Sequence, residues 1–182
     1  MPSKADKKNL SINILRKDVP VEFVCPDLSI IDNMGKEIER KFLVKGPFRH
    51  LAVREIKVIQ TYLSIDDQKT IRLRIADDKA YLTVKGRAVE NSIARGEWEF
   101  PIPVQDCLEM MKICLPGKIL KTRYLVPDGQ RIFEVDVFHD RNEGLVIAEL
   151  ELQSETEEFE KPSWLGEEVT GRPEYYNANL IK

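Results

Sequence analysis

Charged side chains in this sequence are sorted along predicted strands, and this sorting constrains the fold more than any other feature. In an extended strand, successive side chains point to opposite faces. Glu37, Glu39 and Lys41 therefore share one face of the first regular strand. Ile38 and Phe42 lie on the opposite face. Two carboxylates beside an ammonium are unsuited to an apolar core, but they are suited to holding a divalent cation next to an anion.

Eight strands and an amphipathic helix are predicted from the periodicity and the turn residues. The predicted strands span residues 36–44, 56–65, 70–76, 80–85, 95–101, 119–126, 130–138 and 145–153. Pro101 and Pro103 are expected to end the fifth strand. Apolar residues at three- and four-residue spacing predict a helix over 104–115, and a short helix is expected near 174–181. Trp164 is expected to anchor the tail on the core.

Most of these strands carry charge on one face, and within a strand the sign is nearly pure. Arg72 and Arg74 share a face of the third strand, and Glu134 and Asp136 share a face of the seventh. A solvated surface gains nothing from such sorting, because like charges at neighbouring positions repel each other. The alternative that stays open is an ordinary antiparallel sheet with one solvated face.

Closure of the strands into a barrel explains the sorting better. Eight short antiparallel strands can enclose side chains or one small ligand, and inward charged faces would leave the outer apolar faces to be covered by helices. Buried charges without partners cost on the order of several kcal/mol each, and such an interior makes sense if its charges meet a charged ligand. Arg and Lys suit phosphate, and carboxylates suit Mg²⁺ or Mn²⁺. The sequence therefore predicts an α+β protein built on an eight-stranded antiparallel β-barrel that binds polyphosphate with metal.

Length, net charge and cysteine content exclude several classes of protein. The 182 residues predict one domain at 34–182, with residues 1–33 as an N-terminal extension. A net charge of −3 and a pI near 5.6 disfavour binding to nucleic acid or to an anionic membrane. Cys25, Cys107 and Cys114 lack metal-site spacing, which favours reduced thiols and a cytoplasmic location. No apolar run approaches a membrane span. A homodimer is compatible with the sequence, but nothing in it argues for one.

The charged strands also resemble a known family, the CYTH domain or triphosphate tunnel metalloenzymes. The segment Glu37-x-Glu39-x-Lys41 is similar to the ExExK signature of that family. Further similar segments follow in the family's order: Thr70–Arg74, Tyr81–Gly86, Glu97–Phe100, Lys121–Tyr124, Glu134–Phe138 and Ala148–Leu152. The resemblance covers roughly residues 35–180 and is strongest to the short bacterial members.

This resemblance implies a barrel tunnel that cleaves triphosphate substrates with Mg²⁺ or Mn²⁺. The carboxylates that it implies as metal ligands are Glu37, Glu39, Asp136, Glu149 and Glu151. The cations that it implies as phosphate ligands are Lys41, Arg72, Arg74, Lys85, Lys121 and Arg123. Lys41 and Tyr62 are the implied catalytic residues, which assist proton transfer or position the water. Glu97 and Glu99 either bind metal or orient neighbouring cations.

Hydrolysis of a small-molecule triphosphate, most simply inorganic tripolyphosphate, is the predicted function. An adenylate cyclase and a thiamine triphosphatase in the same tunnel stay open, as does a non-catalytic module that binds polyphosphate or nucleotide. A cyclase needs an adenine and ribose pocket, and no stretch of the sequence identifies one. A binding module could lose the carboxylates, whereas this chain retains them.

Overall fold

The computed structural model describes residues 35–88 and 92–181, and eight of its strands close into an antiparallel barrel. The predicted extension 1–33 lies outside the described residues. In chain order the strands are β1 Lys36–Val44, β2 Arg54–Ile65, β3 Lys69–Ala76, β4 Lys79–Ala88, β5 Ala94–Ile102, β6 Ile119–Asp128, β7 Arg131–Phe138 and β8 Val146–Glu151. Around the barrel they follow the order β5-β4-β3-β2-β6-β7-β8-β1, and β1 pairs with β5 to close it. The predicted eight-stranded barrel is confirmed.

A ninth strand, β9 Leu165–Glu168, was not predicted. One edge of β1 pairs with β8, while its other edge is shared between β5 and β9. The strand has four residues, one of which is Gly166, so its own strand propensity is low. Its pairing with β1 is a long-range contact that no local pattern encodes.

The α-helix of the described residues, α1 Val104–Met111, is shorter than the predicted helix over 104–115. A proline disfavours helical backbone at the residue before it, and Leu115 precedes Pro116. The backbone N–H of Leu115 instead donates to the carbonyl of Tyr62 at 2.8 Å. The helix contacts β2, β3 and β4, where it buries Cys107 over Leu73 on the outer face.

Two other expectations about element ends were wrong. β5 ends directly before Pro103 as expected, but it continues through Pro101 to Ile102, because β1 pairs with β5 only near Ala94 and leaves the later residues as a free edge. The expected helix near 174–181 is a 3-10 turn at Pro173–Tyr175 followed by turns. The other 3-10 turns of the described chain are Arg49–Leu51 and Asp140–Asn142.

Apolar side chains pack on the outside of the barrel under the tail. The Trp164 ring lies 5.2 Å from the Phe133 ring in an edge-to-face arrangement and 6.1 Å from the Phe48 ring. Trp164 is only 5% exposed, which confirms that it anchors the tail. Within residues 35–88 and 92–181, no helix has the length and apolar character needed to cross a membrane.

The polar strand faces point into the barrel, and we call this interior the lumen. Cross-strand register places Lys41 opposite Glu149 and Arg123 opposite Asp136, so the charged faces of neighbouring strands meet. Beyond the charged residues on β6, β7 and β8, the lumen is filled by a buried apolar cluster. This cluster contains Tyr62, Ile119, Phe138, Ile147 and Ile181.

Candidate active site

The acidic side chains of the lumen are concentrated on three adjacent strands, β7, β8 and β1. The register places Glu39 opposite Glu151, and Glu134 opposite Glu149. Like charges at facing positions destabilise a sheet unless a cation lies near both of them. We call this part of the lumen the carboxylate wall, and its members are Glu37, Glu39, Glu134, Asp136, Glu149 and Glu151.

The cations come mainly from β3, β4 and β6, and these side chains form what we call the cationic wall. Its members are Arg72, Arg74, Lys85, Lys121 and Arg123. All of them except Arg74 are buried, and Lys121 is only 3% exposed. Strand β2 lies between β3 and β6 and contributes Gln60 and Tyr62 to the lumen.

The predicted phosphate-binding cations are paired with carboxylates. Lys85 Nζ lies 2.8 Å from Glu37 and 2.7 Å from Glu97, and Arg123 Nη2 lies 2.7 Å from Glu149. Arg123 also makes two bonds of 2.7 Å to Asp136, which accepts a further bond from Lys121. Such pairing stabilises buried charges that would otherwise be costly.

The two roles left open for Glu97 and Glu99 differ in these contacts. Glu99 accepts bonds of 2.8 and 2.9 Å from Arg74, and Arg72 Nη2 lies 3.3 Å away. Glu97 lies 2.7 Å from Lys85. These distances favour the orientation of cations over metal binding.

Lys41 lies within the carboxylate wall and bridges two acidic side chains. Its ammonium is 2.5 Å from Glu39 and donates to Glu149. Burial alone would lower the pKa of Lys41, but the carboxylates of Glu149 and Glu39 raise it above its ordinary value. The side chain therefore keeps its charge at neutral pH and is better suited to fixed electrostatic stabilisation than to accepting a proton.

The carboxylates of this wall are in unequal environments. Burial and the neighbouring Glu149 raise the pKa of Glu39. Burial and the charges of Glu37 and Glu134 raise the pKa of Glu151, which is solvent-exposed at the end of β8. Lys41 and Arg123 hold the pKa of Glu149 well below its usual range, although burial opposes this. Burial is the larger cause of both raised pKa values, and nearby negative charge adds to it.

The donor set fits a hard divalent cation in chemistry, because carboxylate oxygens are the ligands that Mg²⁺ and Mn²⁺ prefer. Such an ion would relieve the repulsion that adds to the effect of burial on these pKa values, from Glu149 on Glu39 and from Glu37 and Glu134 on Glu151. Within the described ranges, however, no three acidic, histidine or cysteine side chains converge on one point in a metal-binding arrangement. A metal ion there would compete for these carboxylates with ammonium groups, first of all those of Lys41 and Lys85.

Two further predicted residues have perturbed proton affinities. Burial and the charge of Arg123 lower the pKa of Lys121 to about 8, despite its contact with Asp136. Burial raises the pKa of Tyr62, so its hydroxyl keeps its proton at neutral pH. A β-bulge between Tyr62 and Ser64 interrupts the register with β3 just after Tyr62 pairs with Arg72.

Some lumen residues were not predicted as site residues. Arg95 lies 2.7 Å from Glu37, and Thr83 donates to Glu99 at 2.7 Å. Gln60 is fully buried beside Tyr62. The sorting of charge could not single out Thr83 or Gln60, because neither side chain carries a charge.

Comparison with known proteins agrees with this geometry. The sequence model of the CYTH domain matches residues 35–181, so the chain belongs to the CYTH domain family. It is 45% identical over 150 residues to an inorganic triphosphatase of Acetivibrio thermocellus, across 82% of this chain and 95% of that relative. It is 37% identical over 150 residues to an inorganic triphosphatase of Nitrosomonas europaea, across 79% of this chain and 95% of that relative.

Solved structures share the same fold. A crystal structure of an inorganic triphosphatase matches with a TM-score of 0.57 and 32% identity, over 80% of this chain and 93% of that one. A Hippeastrum protein, described as a putative adenylyl cyclase with a dominant triphosphatase activity, matches with a TM-score of 0.51 and 16% identity. That match covers 65% of this chain and 79% of the other, and at this identity it shows the fold alone.

Proposed function

We propose that this chain hydrolyses inorganic tripolyphosphate with the help of a divalent metal ion, Mg²⁺ or Mn²⁺. The observation that carries the proposal is the division of the lumen into a carboxylate wall and a cationic wall. A triphosphate between the two walls could offer its oxygens to guanidinium and ammonium groups, and the carboxylates would hold a divalent cation that offsets its charge. Two relatives named inorganic triphosphatases, at 45% and 37% identity, support this substrate.

The metal is assigned to the carboxylate wall. The residues that would hold it are Glu37, Glu39, Asp136, Glu149 and Glu151. When bound, such an ion polarises phosphoryl oxygens and lowers the pKa of a bound water. The carboxylates supply the negative charge that holds it, and Glu37 keeps that charge because Lys85 and Arg95 favour its ionised form over the opposing effect of burial.

The phosphate chain is assigned to the fixed cations of the lumen. The residues that would hold it are Lys41, Arg72, Arg74, Lys85, Lys121 and Arg123. Preorganised cations in a site with little water stabilise charge that develops on phosphoryl oxygens in the transition state. Their ion pairs hold these cations in the lumen before substrate arrives, and those paired with carboxylates assigned to the metal would exchange partners on binding.

Tyr62 and Lys41 are the residues assigned to the chemical step. Because burial raises the pKa of Tyr62, its hydroxyl stays protonated, and its oxygen can accept a hydrogen bond from an attacking water and so position it. Lys41 keeps its proton between Glu39 and Glu149, so its role is to balance charge beside the reacting phosphate. The cytoplasmic location and the homodimer stay predictions.

The test is phosphate release from tripolyphosphate, ATP and thiamine triphosphate in parallel, with Mg²⁺ and then Mn²⁺. Fast metal-dependent release from tripolyphosphate, with slow release from the other two, is the expected result. Cyclic AMP from ATP would make the chain a cyclase instead. Tight binding of tripolyphosphate without turnover would make it a binding module.

A further inference from the structure

Three buried polar atoms without hydrogen-bond partners lie together on neighbouring strands. In the part of the chain that the structure describes, these atoms are Gln60 Oε1 on β2 and the Nε atoms of Arg72 and Arg74 on β3. Buried polar groups in folded proteins almost always have a partner, so each exception calls for a reason. The two arginine Nε–H groups are donors and point to a ligand in the lumen that accepts hydrogen bonds, whereas the Gln60 oxygen is an acceptor that needs a donor.

The register brings these groups into one patch. Gln60 lies opposite Arg74, and Tyr62 lies opposite Arg72. Facing side chains on paired strands are about 5 Å apart at Cβ, so one small ligand can reach all four. The Nη2 atoms of both arginines are turned towards Glu99, at 2.8 and 3.3 Å, which leaves each Nε–H without an acceptor.

The orientation of the Gln60 carboxamide explains why its own Oε1 atom has no hydrogen-bond donor. Its Nε2 donates to the Tyr62 hydroxyl at 3.3 Å, a long bond, while Oε1 has no donor. The two ends of a carboxamide exchange places by a half turn about its last torsion, and a hydroxyl can serve either end. After this turn, the Tyr62 hydroxyl donates to Oε1, and both N–H groups of Nε2 are free for an acceptor.

We propose that Gln60 is a phosphate-contacting residue of this lumen. Its side-chain NH₂ group joins the Nε–H groups of Arg72 and Arg74 in a donor patch for one phosphate group of the substrate. Its carbonyl oxygen at the same time holds the Tyr62 hydroxyl in place. This inference rests on the proposed function, and it adds an uncharged residue to the substrate contacts.

Variants on β2 separate this role from a structural one. Gln60→Leu removes the donors and keeps a similar volume, while Gln60→Glu keeps an acceptor for Tyr62 but replaces the NH₂ group with a carboxylate oxygen. The matched control is Thr61→Val on the neighbouring position. Thr61 belongs to the opposite face of β2, where its hydroxyl lies 3.3 Å from the carbonyl of Gly117.

The experiment is a calorimetric titration of inorganic tripolyphosphate into the metal-free wild-type chain and into each variant, which gives the Kd directly. Loss of a hydrogen bond to a charged ligand is expected to raise the Kd of Gln60→Leu by about ten- to a hundredfold. Gln60→Glu is expected to bind more weakly still, because it brings a carboxylate to the phosphate. Thr61→Val is expected to keep the wild-type Kd. In steady-state hydrolysis, Gln60→Leu should raise KM through the lost phosphate contact and lower kcat through the lost partner of the Tyr62 hydroxyl.

A measurement on the wild-type chain does not depend on how the variants fold. The side-chain NH₂ signals of Gln60 in a nitrogen-15 spectrum, assigned in the wild-type chain by through-bond correlation to its own backbone, should shift on saturation with tripolyphosphate. If a buried water satisfies the amide instead, these signals stay in place and Gln60→Leu binds like the wild type, which would overturn the proposal for Gln60 alone. If the wild-type chain does not bind tripolyphosphate, the proposed function fails, and the role of Gln60 fails with it.

Discussion

Glu37 and Lys85 form an ion pair of 2.8 Å over the lumen face of β5, the strand that lies between β1 and β4. Arg95 contacts the other carboxylate oxygen of Glu37 at 2.7 Å. Burial alone would raise the pKa of Glu37, but the two cations hold it well below its usual range. Glu37 is therefore ionised at neutral pH, and a divalent cation must compete with Lys85 for it.

Substitution of Glu37→Gln should abolish most of the metal-dependent hydrolysis. The change keeps the size of the side chain but removes the negative charge proposed to hold the metal, so kcat/KM should fall by about 100-fold or more. Phosphate release from tripolyphosphate and a direct Mn²⁺ titration measure the two effects. Glu168→Gln is the matched control, because Glu168 pairs with Arg40 on the outer face of β1. Normal Mn²⁺ affinity in Glu37→Gln would contradict the metal assignment.

Substitution of Lys41→Met should reduce both activity and stability. Loss of the bridging ammonium leaves the carboxylates of Glu39 and Glu149 without their shared cation. Breaking a buried ion pair in this way lowers the free energy of unfolding by about 3 kcal/mol. Urea unfolding with and without Mn²⁺ tests this. We expect Mn²⁺ to stabilise the variant more than the wild type, because the ion can replace the missing positive charge. A variant as stable as the wild type in the absence of Mn²⁺ would contradict the bridging role.

Substitution of Tyr62→Phe should lower kcat by about 100-fold and leave KM nearly unchanged, as expected for a group that acts in the chemical step. Because burial raises the pKa of Tyr62, the wild-type hydroxyl stays protonated up to about pH 10. The deficit of the variant should therefore be constant across neutral pH. A pH–rate profile of both proteins measures it, and a deficit that disappears on acidification would indicate that Tyr62 acts as a base.

Substitution of Glu168→Gln should change the acid limb of the stability curve. The hydrogen bonds from Arg40, with a smaller opposing effect of burial, lower the pKa of Glu168 from 4.5 to about 2. A carboxylate with a lowered folded-state pKa adds stability above pH 4.5, and this stability is lost as the pH falls towards 2.

The difference in unfolding free energy between the wild type and Glu168→Gln should therefore be largest above pH 5 and should shrink below pH 4.5. Its size should be about 1 kcal/mol or less, because the pair is partly exposed to solvent. Urea unfolding at a series of pH values measures it. A difference that grows on acidification would mean that the ion pair does not stabilise the fold.

Most of the barrel could be predicted because strand alternation is a local property of the sequence. The predicted first strand, 36–44, coincides with β1, and the other strands differ by a few residues at their ends. The end of α1 was missed because the Leu115 N–H is taken by the carbonyl of Tyr62, which is far away in the sequence. The short strand β9 was missed because its stability comes from pairing with β1 and not from its own residues.

The sequence by itself determined which side chains face the lumen and which sign of charge each strand brings there, because both follow from the two-residue period of a strand. Only the tertiary structure decided which charges meet. Barrel closure placed Lys85 beside Glu37 and Lys41 between Glu39 and Glu149. The same closure buried Gln60 without a partner for its oxygen, and an uncharged amide leaves no trace in the charge pattern. Pairing across a closed barrel depends on register and on non-adjacent strands, and neither is a local property of the chain.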